Sequence, residues 1–162
     1  MSHLHPFTHV FGGHGPEGRD LVLRVRFESH VFSDSYGTGP HDFLDEAGNR
    51  RYFCANRYAF SHCLPSEIRN LLTCNAYTWE EKDRNQVANL AVLTPAGSPL
   101  ISGLHTVIIY YLYPSKLEEI DVEMLVKTCY QKEINFEHRR KREKIRVYLK
   151  KACFQQVRIP RG

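Results

Sequence analysis

Residues 86–93 read QVANLAVL, residues 104–113 read LHTVIIYYLY and residues 120–130 read IDVEMLVKTCY. All three runs are rich in β-branched and aromatic residues, the types that fit a pleated, half-buried surface. Thr94-Pro95-Ala96-Gly97-Ser98-Pro99 and Pro114-Ser115-Lys116-Leu117-Glu118-Glu119 separate them with turn-forming residues. Connections this short favour antiparallel neighbours, so the three runs predict a meander. If its second turn centres near residue 116, paired positions sum to about 233, which sets His105 opposite Lys127-Thr128 with Tyr130 one or two residues further on.

Outward from the meander, residues 21–32 (LVLRVRFESHVF) alternate with period two, Leu21, Leu23, Val25 and Phe27 against Arg24, Arg26, Glu28 and His30. That is the pattern of a half-buried strand. Residues 33–50 carry Gly37-Thr38-Gly39 and an Ala47-Gly48-Asn49 turn and read as a loop, and residues 51–63 (RYFCANRYAFSHC) read as extended and aromatic, with a break near Asn56. Pro65 opens a short helix whose apolar face is Ile68, Leu71 and Leu72. Residues 75–85 are polar and read as a loop. Ile145, Tyr148, Leu149, Ala152, Cys153 and Val157 recur at helical steps, although Ile145, Val147 and Leu149 also alternate as a strand would. If the helix starts early, Arg139, Arg142 and Arg146 share one of its faces. Residues 1–20, rich in His and Gly, read as a flexible arm ahead of one domain over residues 21–162. The expected class is α+β, with a mostly antiparallel sheet, a short central helix and a basic C-terminal helix.

The chain has 162 residues, 42% of them hydrophobic and 25% charged, which suits one globular domain. No apolar run approaches the roughly 20 residues of a membrane span, and the N-terminus lacks the pattern of a secretory signal, so a cytoplasmic location without membrane contact is expected. Residues 132–162 hold 11 Lys/Arg against 3 Asp/Glu, or +8, while residues 1–131 carry −4. The densest basic stretch contains Arg139, Arg140, Lys141, Arg142, Lys144 and Arg146. Such a run attracts phosphate backbones or an acidic protein. Five cysteines without a C-x-x-C spacing argue against a disulfide framework or a zinc ribbon, although Cys54, His62, Cys63 and Cys74 could sit together around zinc. The histidines of the arm, His3, His5, His9 and His14, could hold a stray metal ion. No P-loop, G-x-S-x-G or H-E-x-x-H is present, and neither a metal nor a cofactor is expected.

Two functions follow. The first is a non-catalytic binding protein whose basic segment docks on nucleic acid, RNA before DNA, or on an acidic partner. The second is a toxin-like, metal-independent ribonuclease, for which the element order resembles small ribonuclease toxins of the RelE and barnase-like type. Its chemistry needs a base, an acid and a cation, and His30, His105, Lys127, Thr128 and Tyr130 supply the residue types. The aromatic cluster Tyr52, Phe53, Tyr58 and Phe60 reads as base-stacking surface or sheet core.

Overall fold

The computed structural model describes residues 2–37, 42–83, 86–95, 98–139 and 141–161. Thr38, Gly39, Ala96, Gly97 and Arg140, named above, lie outside them. The predicted meander is present: β7 (Gln86–Val92), β8 (Gly103–Pro114) and β9 (Val122–Ile134) pair antiparallel in sequence. It forms the middle of a seven-stranded sheet. On one side β9 is joined by β2 (Leu21–Phe27) and then β1 (Phe7–Phe11). On the other, β7 is joined by β6 (Tyr77–Asp83) and then β10 (Glu143–Lys144). Every pairing is antiparallel except β2 with β9, where Leu23 lies beside Val122 and Phe27 beside Val126. Asp121 fixes that junction, because its carboxylate accepts from the Val22 amide at 2.7 Å and its own amide donates to the Val22 carbonyl at 2.9 Å.

β7 and β8 are apolar on both faces because both are covered. One face packs Leu23, Val25, Ile108, Tyr110, Leu112, Met124 and Val126 against α2 (Leu64–Thr73) and α3 (Ile145–Gln155). The other gathers Trp79, Leu90, Val92, Val107, Ile109, Tyr111 and Ile134, with Leu100 and Phe136 packed over them. A second, three-stranded sheet, β3 (Ser33–Asp34), β5 (Arg50–Phe53) and β4 (Asp42–Leu44), runs in the order β3-β5-β4.

Several expectations are corrected. The arm contains a strand: Phe7–Phe11 alternates inward and outward along β2, a five-residue pattern hidden between the Gly- and His-rich flanks. Residues 33–50 contribute strands to the small sheet. The aromatic run 51–63 is extended only through Phe53. It then turns into helix α1 (Ala55–Ser61), where the Tyr58 amide donates to the Cys54 carbonyl at 2.9 Å. Residues 77–83 form β6, because Thr78 and Trp79 are buried while Glu80, Glu81 and Lys82 remain accessible to varying degrees. The helical reading of the C-terminal element holds, but α3 begins only at Ile145, so Arg139, Arg142 and Arg146 do not share a helix face.

The β8–β9 register also differs. The connection runs to Asp121, and a β-bulge between Ile109 and Tyr110 leaves Lys127 as the extra residue, since Ile109 pairs with Thr128 and Tyr110 with Val126. His105 therefore stands opposite Lys132, and Tyr130 opposite Val107.

Candidate functional site

The basic segment lies along the β6 edge of the sheet. Four of its cations are anchored. Arg139, whose side chain is 17% exposed, donates from Nη2 to Glu81 at 2.6 Å, and Lys132 reaches the same carboxylate at 3.2 Å. Lys141 pairs with Glu80 at 2.6 Å. Arg146 donates from Nη2 to the Thr73 carbonyl at 2.9 Å and stacks 5.6 Å from the Phe11 ring centroid.

Arg142 and Lys144 are placed differently. Lys144 pairs across the strands with Tyr77, and Arg142 lies just ahead of β10. The Arg142 guanidinium sits 4.1 Å and the Lys144 ammonium 3.7 Å from the Tyr77 ring centroid, so the two flank one aromatic ring. Among the described residues neither head group has a carboxylate within ion-pair distance. They stand at a pocket of about 510 Å³ lined by Leu71, Trp79, Val92 and Leu100 and by the polar residues Thr94 and Ser98. Apolar walls with a few convergent polar groups are the usual composition of a ligand site.

A second cluster surrounds the turn after β2. His30 is not on the strand, as its alternation implied, but in a 3₁₀ turn, Ser29–Val31. Its Nε2 hydrogen-bonds Asp45 at 2.9 Å. Asp45 heads the β4–β5 turn, where it also accepts from the Ala47 amide at 3.0 Å and the Asn49 amide at 2.8 Å. The His30 contact first, and then these amides working against burial, bring the Asp45 carboxyl down to about 2. Arg57 donates to the carbonyls of His30 at 3.2 Å and Ser33 at 2.9 Å, and the Thr128 hydroxyl is 3.4 Å from the His30 carbonyl. Lys127 acts electrostatically on the neighbouring Glu28.

Of the five residues read as catalytic, His30, Lys127 and Thr128 thus gather around this turn. Tyr130 lies two residues beyond Thr128 on β9, and His105, on β8, stands opposite Lys132, about 13 Å along the sheet from Thr128 at the ordinary strand rise. His105 hydrogen-bonds the Ile101 carbonyl at 2.7 Å through Nε2 and meets the Phe136 ring edge-on. Cys54, His62, Cys63 and Cys74 do not converge as metal ligands: among the described residues the one such group is Glu28, His30 and Glu46. His62 instead stacks on His3 with centroids 3.7 Å apart. Within the aromatic cluster, Phe53 and Tyr58 pack on each other at 5.2 Å.

Sequence reasoning found Arg142 and Lys144 through charge, but missed Tyr77, Asp45 and Glu46. Tyr77 and Trp79 alternate, a strand signal diluted by the acidic pair that follows. Asp45 begins a turn closed by Gly48 at φ +80°, and Asp followed three residues later by Gly is a readable turn signature.

Comparison with known proteins adds one finding. The profile of the YjaZ family matches residues 1–153, so the chain belongs to that family. Neither the curated proteins nor the solved structures contain a match. Among the described residues no helix is long and apolar enough to cross a membrane.

Proposed function

We propose that this member of the YjaZ family is a binding protein that docks RNA on its β6–β10 edge. The observation that carries the reading is the pair Arg142 and Lys144, held against Tyr77 without a carboxylate partner among the described residues. A cation already closed by a carboxylate has less to gain from a phosphate than one facing solvent. Arg139 and Lys141 are closed by Glu81 and Glu80, whereas Arg142 is exposed and Lys144 half-buried at the pocket. Both cations reach the same Tyr77 ring, which sets two positive charges close together, as contact with neighbouring phosphates of one strand requires. Single-stranded RNA, with backbone and bases both accessible, fits such an edge better than a duplex.

The ribonuclease reading has less support, because it needs His105 beside Lys127 and Thr128, and His105 stands opposite Lys132 instead. Fluorescence anisotropy with a labelled single-stranded RNA tests the proposal, with a polyglutamate peptide as the acidic-protein competitor. RNA binding that weakens at least tenfold in Arg142→Gln/Lys144→Gln, and resists the peptide, supports it. Unaltered RNA affinity in that variant overturns it, and preferential binding of the peptide assigns the edge to an acidic protein instead.

A further inference from the structure

The turn after β2 carries a set of donors that RNA docking does not use. Glu28, His30 and Glu46 each aim a potential ligand atom so that the three lie within 4.8 Å of one another. Two short segments supply them, the 3₁₀ turn beside β2 and the β4–β5 turn, and both are fastened. The Ser29 amide and hydroxyl hold the two Glu46 oxygens at 2.9 Å each. Asp45, with its side chain only 2% exposed, holds His30 through Nε2 and leaves Nδ1 for another partner. A histidine fixed by a carboxylate at one ring nitrogen is the arrangement commonly found where the other nitrogen binds a metal, because the hydrogen bond sets the tautomer and the ring direction.

The charges agree with this geometry. Glu28 is half-buried, and its carboxylate lies within 4.8 Å of that of Glu46, so two like charges meet there. A divalent cation between them removes the repulsion. Two nearby arginines are directed elsewhere. Arg51 donates to the Ser33 hydroxyl and carbonyl, and Arg57 to the Ser33 and His30 carbonyls and toward Asp34 at 3.8 Å.

The geometry points to a site for a divalent transition-metal ion on Glu28, His30 and Glu46, with Asp45 as the positioning residue. One imidazole and two carboxylates suit zinc or manganese better than calcium, which prefers an all-oxygen shell. Three ligands leave further coordination positions to solvent or to an oxygen ligand.

Calorimetric titration of the full chain at neutral pH, with zinc and manganese separately, tests the site. The expected result is one ion per chain, with affinity lowered at least tenfold in Glu28→Gln, Glu46→Gln and His30→Ala. Asp45→Asn should lower affinity by about 10- to 100-fold while keeping the stoichiometry at one. The two Gln variants preserve side-chain shape and decide the matter should His30→Ala fail to fold. Cobalt absorption gives a second readout, since its ligand-field bands should shift in each variant that folds. Zinc held by His3, His5 or His9 instead would persist unchanged in all of them. That result, or no binding below millimolar metal, overturns the assignment.

Discussion

At the β6–β10 edge, cations outnumber the carboxylates that meet them. At the turn after β2, carboxylates converge and are wrapped by hydrogen-bond donors. The edge was visible in the sequence as a charge run, but the run overstates what is available. Arg139, Lys141 and Arg146 are held by Glu81, Glu80 and the Thr73 carbonyl, leaving Arg142 and Lys144 at the pocket. The turn was nearly invisible, since His30 and Asp45 are 15 residues apart and meet only because the β4–β5 turn folds back onto the 3₁₀ turn after β2. Net charge therefore says where a field is strong, while the pairing of each head group says which residues can answer to a ligand.

The edge depends on β6, so the largest effect should come from breaking it. Trp79 is 2% exposed and packs against Phe136 at 5.3 Å between ring centroids. Trp79→Ala should cost about 3–5 kcal/mol in urea unfolding. A loss below about 1 kcal/mol would show that residues 77–83 are not a sheet strand. The turn should answer less strongly but distinctly. Asp45→Ala removes the acceptor shared by His30, Ala47 and Asn49 and should cost about 1.5–3 kcal/mol, as charged hydrogen bonds do. Equal stability with wild type would mean that the turn is not organised by this carboxylate.

At the edge itself, Lys141 is 70% exposed, so Lys141→Gln should change stability by no more than about 1 kcal/mol. A larger loss would place the Lys141–Glu80 pair among the supports of the fold. The smallest effect concerns Asp121, outside both regions. Burial raises its carboxyl, but the Arg19 and Val22 donors outweigh burial and leave it below the ordinary 3.8. Its stabilisation is therefore complete above that value and lost as the pH falls through the lowered one. The stability gap between wild type and Asp121→Asn should shrink on acidification below about pH 4. A gap that widens there would reverse the sign of the shift.

The fold was legible where burial leaves a mark on composition. β7 and β8 are apolar on both faces, β9 buries every second residue from Val122 to Val126, and the helical steps of α3 follow its packing face. It was illegible where a strand is short or carries exposed charge, as in Phe7–Phe11 and in Glu80-Glu81-Lys82 of β6. The parallel contact between β2 and β9 spans about a hundred residues, and no local pattern encodes it. The register failed for a local reason: a longer turn and the extra residue Lys127 moved His105 from Lys127-Thr128 to Lys132. The site was legible in its cations alone. Tyr77, which places them, was hidden in the segment taken for a loop, and Glu46 in the longer loop before it.

The central claim is that two cations of the basic run, and not the run as a whole, meet the RNA. Measuring affinity for a single-stranded RNA against salt tests it most directly, comparing wild type with Arg142→Gln/Lys144→Gln and Arg139→Gln/Lys141→Gln. Each phosphate contact on a single strand contributes a slope of about −0.7 in log K against log salt. The first double variant should flatten the slope by about 1.4, and the second should leave it nearly unchanged. Equal flattening by both variants, or flattening by the second alone, would contradict the account.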